Sequence, residues 1–397
     1  MKDLTQHMRD VQHFGEQGGV VPVVDVSATS TFMNPADMEK AFRGELQGCY
    51  LYSRHSNPTV KAFGEKLAAM EEMEAGLGVA SGMAAIYSTI RQLMPDGGHL
   101  VSARTVYGGT YALFLSILPK IGIEVTFVDT GDLKAVAAAV NERTKIVYCE
   151  TMSNPLLRIA DLQALSAIAK QHGAKLVVDN TFTPLIVTPA RFGADVVIHS
   201  CTKYISGSSD LMAGAIVGSQ DFINQLVDVN QGVVMLTGPV MDAQIAHKLY
   251  TRLDHLGARM IAHGKSADYL AGKLVEHGIP LVYPGLRSHP DRELILRMFA
   301  NKYGAGGMMA VDCKTSERAL ALAHLLQQEK FGLYAVSLGF SRTLMSCPSV
   351  STSSEIPEEA RSQMGLSQGI LRLSIGYLGD DEVLANKFLQ SYAKVCG

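Results

Sequence analysis

The sequence predicts an α/β fold with a large, mostly parallel sheet, followed by a smaller C-terminal α+β region. From about residue 60 to residue 200, short apolar runs rich in β-branched residues alternate with segments of helical spacing. This alternation is typical of parallel strands covered by helices on both faces. Residues 241–274 then form a long, proline-free stretch with helical spacing, beyond which the mix of elements changes.

The individual elements follow from these patterns. The predicted strands of the large sheet are His99–Ser102, Val125–Val128, Lys145–Cys149, Lys175–Val178 and Val196–Ser200. The helices between and before them are Val60–Glu74, Ala80–Leu93, Tyr111–Leu118 and Leu162–His172. In the C-terminal region we expect strands at Met308–Asp312 and Ile370–Ile375 and helices at Glu317–Gln328 and Asp381–Val395.

The chain has 397 residues, a length that corresponds to two or three domains. We expect an irregular N-terminal arm at 1–50, a ligand-binding α/β domain at 51–245 and an α+β domain at 246–397. The stretch 241–274 would connect the last two as a helix, with Gly257, Gly264 and Gly272 as possible breaks.

Composition excludes several classes of protein. The 35 basic and 38 acidic residues are scattered and give a net charge of −3, unlike the basic footprint of a nucleic-acid binder. The first residues lack an apolar signal core, and apolar runs such as Tyr111–Leu118 are too short to span a bilayer. These two features predict a cytoplasmic location. None of the six cysteines has CxxC spacing, so we expect reduced thiols. No metal site is expected.

Two strand ends carry the strongest chemical signal. Asp179 ends one predicted strand, and Lys203 follows another, 24 positions later, with Ser200 and Thr202 just before it. Ligands of α/β sheets bind beyond the carboxyl ends of the strands, so these side chains should meet in one crevice. Pyridoxal 5′-phosphate (PLP) needs a lysine for covalent attachment, a carboxylate for its ring nitrogen and donors for its phosphate. A solitary lysine would be a surface residue, but this combination predicts a PLP site.

Three further segments could complete that site. Gly82 and Met83 lie at a strand-to-helix turn where backbone N–H groups could bind phosphate, although such a turn is often only a helix cap. Tyr107 could stack on the cofactor ring and move protons, or simply pack in its loop. Arg54 could clamp a phosphate, or lie on the surface beside a helix cap.

Arg372 lies at the centre of the apolar strand 370–375. A buried arginine is costly unless it is paired, so it requires an anion. The carboxylate of an amino-acid substrate would serve, and an internal salt bridge is the alternative.

In this order, eight segments resemble those of the Cys/Met-metabolism (trans-sulfuration) PLP enzymes. They are YSRHSNPT (52–59), SGMAA (81–85), VYGGT (106–110), ETMSNP (150–155), VVDNT (177–181), SCTKYISG (200–207), SLG (337–339) and LRLSIG (371–376). The resemblance extends from about Val21 to the C-terminus. It implies the fold type I of PLP-dependent transferases and a homotetramer built from tight dimers with shared active sites.

The resemblance also implies a role for each matching residue. Lys203 would form the Schiff base, and Asp179 would be the partner of the pyridinium. Gly82, Met83, Ser200 and Thr202 would hold the phosphate, which Tyr52 and Arg54 of the neighbouring subunit would also reach. Tyr107 would stack and move protons. Arg372 would anchor the substrate carboxylate, with Ser337 and Asn154 close by.

The reaction class is less constrained. Val336 stands where cystathionine-handling enzymes of the family carry a glutamate, so the chain most resembles its methionine γ-lyases. Three positions depart from that pattern: Gly109 instead of cysteine, Asp254 in a stretch without the usual lysine–acid pair, and Ser208 instead of histidine. We therefore expect γ-elimination of a sulfur amino acid, with methionine as the main candidate and homocysteine and cystathionine as further ones. The alternatives are γ-replacement on an O-acyl-homoserine and, more remotely, a non-catalytic PLP-fold binding protein.

Overall fold

The computed structural model describes residues 3–15, 17–43, 45–46, 48–351 and 367–397. Its helices in this range are α1 Leu4–Asp10, α2 Pro35–Phe42, α3 Pro58–Glu71, α4 Gly82–Leu93, α5 Gly108–Ser116, α6 Leu133–Ala139, α7 Leu162–Gln171, α8 Gln220–Leu226, α9 Val233–Thr237, α10 Ala243–Glu276, α11 Arg292–Met298, α12 Ser316–Gln328 and α13 Asp381–Cys396.

The strands form two sheets. The larger has the order β1-β7-β6-β5-β4-β2-β3 and the smaller the order β10-β11-β12-β9-β8. The strands are β1 Ala75–Val79, β2 Gly98–Ala103, β3 Ile123–Val128, β4 Thr144–Glu150, β5 Lys175–Asp179, β6 Val196–His199, β7 Gly214–Gly218, β8 Leu281–Val282, β9 Met308–Asp312, β10 Leu333–Tyr334, β11 Leu344–Ser346 and β12 Ile370–Ser374.

The large sheet is parallel from β6 through β5, β4 and β2 to β3, while β7 runs antiparallel to both of its neighbours. The strands β4, β5 and β6 are almost wholly buried, as expected for a sheet covered on both faces. Their carboxyl ends meet at one edge, which Glu150, Asp179 and the residues after His199 occupy. The predicted α/β fold is therefore confirmed, and the edge that should bind a ligand lies where the sequence placed it.

Two sequence-based expectations were incomplete. The five predicted strands of the large sheet are present, but the glycine-rich strands β1 and β7 were not predicted. The N-terminal arm was expected to be irregular and instead contains α1 and α2. Helix α1 forms because Leu4 and Met8, on one face of the helix, are buried against the rest of the chain, which packs it on α3 and α10.

Helix α10 has 34 residues and separates the two sheets along the sequence. Gly257, Gly264 and Gly272, expected as possible breaks, all lie inside the continuous helix. Gly264 allows close packing, because a Cβ there would lie 3.1 Å from the carbonyl oxygen of Tyr303. The predicted domain limit at residue 245 falls in the first turn of this helix, and the division at 50 and 245 stays a prediction. Among the described helices, none has the length and apolarity that a membrane crossing requires.

Candidate active site

The floor of the candidate site is formed by the ends of β5 and β6. Asp179 ends β5, and its carboxylate accepts a hydrogen bond from the N–H of Thr181, at 3.0 Å. The Thr181 hydroxyl in turn accepts the N–H of Ser200, at 2.8 Å, which joins the two strand ends. Burial raises the pKa of Asp179, and the described residues give this carboxylate no lysine or arginine partner. A cationic ring nitrogen would therefore stabilise it as the anion.

Lys203 lies in the turn that follows β6. Its Nζ donates a hydrogen bond to the hydroxyl of Ser337, at 3.2 Å, across 134 residues of sequence. Burial and the nearby positive charge of Arg372 both lower the pKa of Lys203. At a given pH, a larger fraction of the Lys203 amine is therefore in the neutral, nucleophilic form than in an ordinary surface lysine.

The predicted phosphate-binding residues lie together at the start of α4. Ser81 caps this helix by accepting the N–H of Ala84, which leaves the N–H groups of the first helical residues, Gly82 and Met83, without an acceptor inside the helix. A Cβ at Gly82 would lie 2.8 Å from that of Ser200, so glycine permits the close approach of these two segments. The Thr202 hydroxyl is bonded to the backbone of Ala213 and also faces the cavity.

Arg372 lies in the middle of β12 in the small sheet and is buried, with 3% of its surface exposed. Its guanidinium donates to the side-chain oxygen of Asn154, at 3.0 Å, and to the carbonyl of Ser337, at 3.5 Å. Burial lowers the pKa of Arg372 to about 10, and within the described ranges no carboxylate pairs with it. The internal salt bridge considered above is therefore absent there, and the site offers a buried cation to an incoming anion.

These residues surround one cavity of about 230 Å³. Tyr107 and Val336 lie at its rim, where 43% and 64% of their surfaces are exposed. The predicted residues that line the cavity are Gly82, Met83, Tyr107, Asn154, Asp179, Ser200, Thr202, Lys203, Val336 and Arg372. Ser337 accepts hydrogen bonds from two of these lining residues, Lys203 and Arg372.

Tyr52 and Arg54 are not part of this cavity within the single chain. Arg54 donates to the carbonyl of Met235 and lies over the ring of Tyr52, 5.5 Å from its centroid. Both side chains are exposed, and Arg54 helps to line a second cavity. Their predicted action on a neighbouring subunit stays a prediction.

Sequence reasoning missed several residues that the structure places at the site. Glu150 and Thr181 line the cavity although neither was assigned a role. Behind Asp179, the buried carboxylate of Glu71 accepts from His199 Nε2 at 2.7 Å and from the amide of Asn180 at 3.1 Å. Glu150, Asn180 and Thr181 lie in quoted segments and His199 precedes one, whereas Glu71 lies in none of them and is 109 and 128 positions from the two residues that it binds.

The three departures from the family pattern have local structural correlates. A Cβ at Gly109 would lie 2.6 Å from Cε1 of Tyr107, so the ring rests on the glycine backbone. Asp254 forms an ion pair with Lys66, whose side chain is buried. Ser208 is exposed, and two residues later Asp210 binds Arg252 through two hydrogen bonds.

The residues present fit PLP. Lys203 offers a half-buried amine for attachment, Asp179 a buried carboxylate without a cation, and α4 unbonded N–H groups beside the Ser200 and Thr202 hydroxyls. Six cysteines, all unpaired, lie outside the cavity lining. The lysine, the buried carboxylate and the phosphate-binding groups thus match the three requirements of the cofactor.

Comparison with known proteins agrees with this geometry. The sequence pattern of the family described as "Cys/Met metabolism PLP-dependent enzyme" matches residues 5–390. The chain is 43% identical to methionine gamma-lyase from Arabidopsis thaliana, over 99% of this chain and 91% of the relative. It is 38% identical to cystathionine gamma-lyase from Bacillus subtilis, over 93% of each chain.

Among solved structures, one described as O-acetylhomoserine (thiol)-lyase from Campylobacter jejuni superposes with a TM-score of 0.92 at 27% identity, covering 99% of this chain and 100% of that one. That structure contains N′-pyridoxyl-lysine-5′-monophosphate. The family pattern covers nearly the whole chain, and the fold and the cavity agree with it. The chain therefore belongs to the Cys/Met metabolism family of PLP-dependent enzymes.

Proposed function

We propose that this PLP-dependent enzyme catalyses γ-elimination of a sulfur amino acid, with L-methionine as the main substrate. Methionine and one water give methanethiol, 2-oxobutanoate and ammonia. Homocysteine and cystathionine, which share the γ-carbon–sulfur bond, are further candidate substrates. The names of the relatives, methionine gamma-lyase and cystathionine gamma-lyase, support this reaction class.

One observation carries the proposal: Arg372 is a buried cation without a described carboxylate partner, and it faces the same cavity as Lys203. An α-amino acid bound with its carboxylate on Arg372 would place its α-carbon near the lysine amine. The cavity wall beyond is apolar, with Val336, Leu338 and Met212 among its residues. Such a wall suits a methylthio group better than a charged side chain.

The chain's own groups then have distinct tasks. When bound, PLP supplies an electron sink for the charge that develops on the substrate carbon. Asp179 holds a proton on the ring nitrogen of the cofactor. The Lys203 amine, with its lowered pKa, removes the α-proton and then acts at Cβ, and the Tyr107 hydroxyl gives a proton to the departing sulfur.

We further propose a homotetramer of tight dimers in which Tyr52 and Arg54 complete the site of the neighbouring subunit. Their exposure and their distance from the cavity of their own chain support this assignment. The Lys203→Ala and Arg54→Ala variants, inactive alone, should regain activity when mixed and reassembled.

A cytoplasmic location fits the six unpaired cysteines, which are typical of reducing compartments.

Product analysis tests the main proposal. The PLP-loaded protein is incubated with L-methionine alone, and 2-oxobutanoate and methanethiol are measured, with Lys203→Ala as the control. Both products should form with the intact protein and be absent with the variant. Absence of both products from the intact protein would refute methionine γ-elimination.

The second candidate is γ-replacement on an O-acyl-homoserine, which the similarity to the Campylobacter jejuni structure favours. It uses the same cavity residues, but a thiol adds at the γ-carbon, from which acetate or succinate leaves. Turnover that requires both O-acetyl- or O-succinyl-homoserine and a thiol would identify this reaction.

A further inference from the structure

The side chain of Tyr107 has little support from its own loop and helix. It lies at the N-terminal boundary of α5 and makes no side-chain capping hydrogen bond there. Nearly half of its surface is exposed. A ring that must stack on a cofactor and deliver a proton needs to be held to within a fraction of an ångström, so another group has to fix it.

Glu150 supplies a contact to the backbone of Tyr107. Its carboxyl Oε1 accepts the N–H of Tyr107 at 2.6 Å, although the two residues are 43 positions apart. Glu150 is the last residue of β4 and pairs in register with Asp179 of β5. The position of Tyr107 is thereby tied to the strand that also holds Asp179.

Gly109 determines how closely the ring of Tyr107 can lie to the backbone of α5. A Cβ at this position would lie 2.6 Å from Cε1 and 3.2 Å from Cζ of Tyr107. The ring therefore lies against the first turn of α5, a placement that a side chain at residue 109 would obstruct. Glu150 fixes the backbone of Tyr107, and Gly109 leaves room for its ring.

We propose that Glu150 is a positioning residue that holds Tyr107 over the cofactor site, with Gly109 as the second determinant of the ring's orientation. This inference rests on the proposed function only in giving Tyr107 its role as proton donor. Glu150 acts through the tyrosine rather than on the substrate.

The electrostatic setting indicates which property of Glu150 matters. Burial, and then the neighbouring Asp179, raise the pKa of Glu150, so the neutral carboxyl is favoured. A neutral carboxyl still accepts the Tyr107 N–H through its carbonyl oxygen and adds no second negative charge beside Asp179. Glutamine offers the same acceptor, so Glu150→Gln should preserve the function, whereas a charge-dependent role would make this variant inactive.

The experiment compares four variants in the PLP-loaded protein. Glu150→Gln should retain kcat and KM within about threefold. Glu150→Met, which fills similar space without an acceptor, should lower kcat about 10- to 100-fold, as displacements of about 1 Å can do. Gly109→Ala should act in the same direction. Asp132→Ala is the matched control, because Asp132 caps α6 with a carboxylate far from the cavity.

A double-mutant cycle gives the decisive readout. The visible circular dichroism of the bound cofactor and its affinity for the apoprotein are measured for Glu150→Met, Tyr107→Ala and the double variant. If Glu150 acts through Tyr107, the double variant should match Tyr107→Ala alone. Additive effects, or equal damage from glutamine and methionine at 150, would overturn the proposal. These readouts need no substrate, so they decide the role of Glu150 even if methionine is not turned over.

Discussion

The two halves of the candidate site differ in how densely hydrogen bonds connect their side chains. The floor, defined here as Glu71, Asp179, Asn180, Thr181 and His199, is buried or half-buried. Hydrogen bonds join Glu71 to Asn180 and His199, and Asp179 to the backbone of Thr181. The substrate side is formed by Val336, Ser337 and Arg372 of the C-terminal region. It has a buried cation that no described carboxylate neutralises, and one exposed apolar side chain. The floor is thus set before any ligand arrives, whereas the substrate side depends on what binds. Substitutions in the floor should lower the turnover of every substrate, and those on the substrate side should change KM and the preference among substrates.

The largest effect should come from Asp179→Asn. Asparagine cannot stabilise a protonated ring nitrogen, so kcat should fall about 100-fold or more for all substrates. Steady-state kinetics with methionine and homocysteine measure this, with cofactor content determined by absorbance. Asp195→Asn, at the opposite end of β6, is the control. A loss limited to one substrate would contradict the assignment of Asp179 to the floor.

Arg372→Leu should have the next largest effect. Hydrogen bonds to charged groups contribute about 1.5–3 kcal/mol, so kcat/KM for methionine should fall about 10- to 100-fold, mainly through KM. Arg372→Lys should be intermediate, because lysine keeps the charge but loses the planar fork. Cofactor absorbance should be unchanged in both variants. An unaltered KM would show that the substrate carboxylate binds elsewhere.

Glu71→Leu tests whether the floor is rigid. The substitution leaves buried donors of His199 and Asn180 without their acceptor, so it should lower the apparent free energy of unfolding by about 1–3 kcal/mol. Urea unfolding at fixed protein and PLP concentrations measures the change. Glu72→Gln, on the more exposed side of the same helix end, should cost less than about 1 kcal/mol. Equal stability of the two variants would show that the hydrogen bonds of the floor do not stabilise the fold more than an ion pair outside it.

The difference between the halves also explains what could be predicted from sequence. Asp179 and Lys203 follow apolar strands, so their meeting at one sheet edge follows from parallel topology. Glu150 lies in a quoted segment, but its bond to Tyr107 depends on packing between β4 and α5 that no local pattern encodes. Strands β1 and β7 escaped prediction because they are glycine-rich: Gly76 in β1 packs so closely on Gly64 of α3 that a Cβ would clash with its backbone.

On the substrate side, Val336→Glu should change the preference between substrates. A carboxylate at this exposed position could bind the distal amino group of cystathionine and would remove the apolar contact that valine offers to the methylthio group of methionine. Exposed ion pairs contribute up to about 1 kcal/mol, so the preference should shift about fivefold toward cystathionine. The ratio of kcat/KM for the two substrates measures it, and Val336→Gln is the uncharged control. No shift in this ratio would place the distal end of the substrate away from Val336.

The smallest expected effect is a shift in the pH dependence of PLP binding to Lys203, which lies between the floor and Arg372. Because burial and Arg372 lower the pKa of Lys203, its amine becomes neutral at a lower pH than an ordinary lysine. Only the neutral amine attaches the cofactor, so capture of PLP by the apoprotein should rise with pH to a midpoint below 10.5, the ordinary value of lysine. Arg372→Leu removes one of the two causes and should move this midpoint upward, while Val336→Gln should leave it unchanged. Stopped-flow absorbance across pH measures the midpoint. A midpoint that stays fixed in Arg372→Leu would show that burial alone sets the pKa and that the two halves are electrostatically independent.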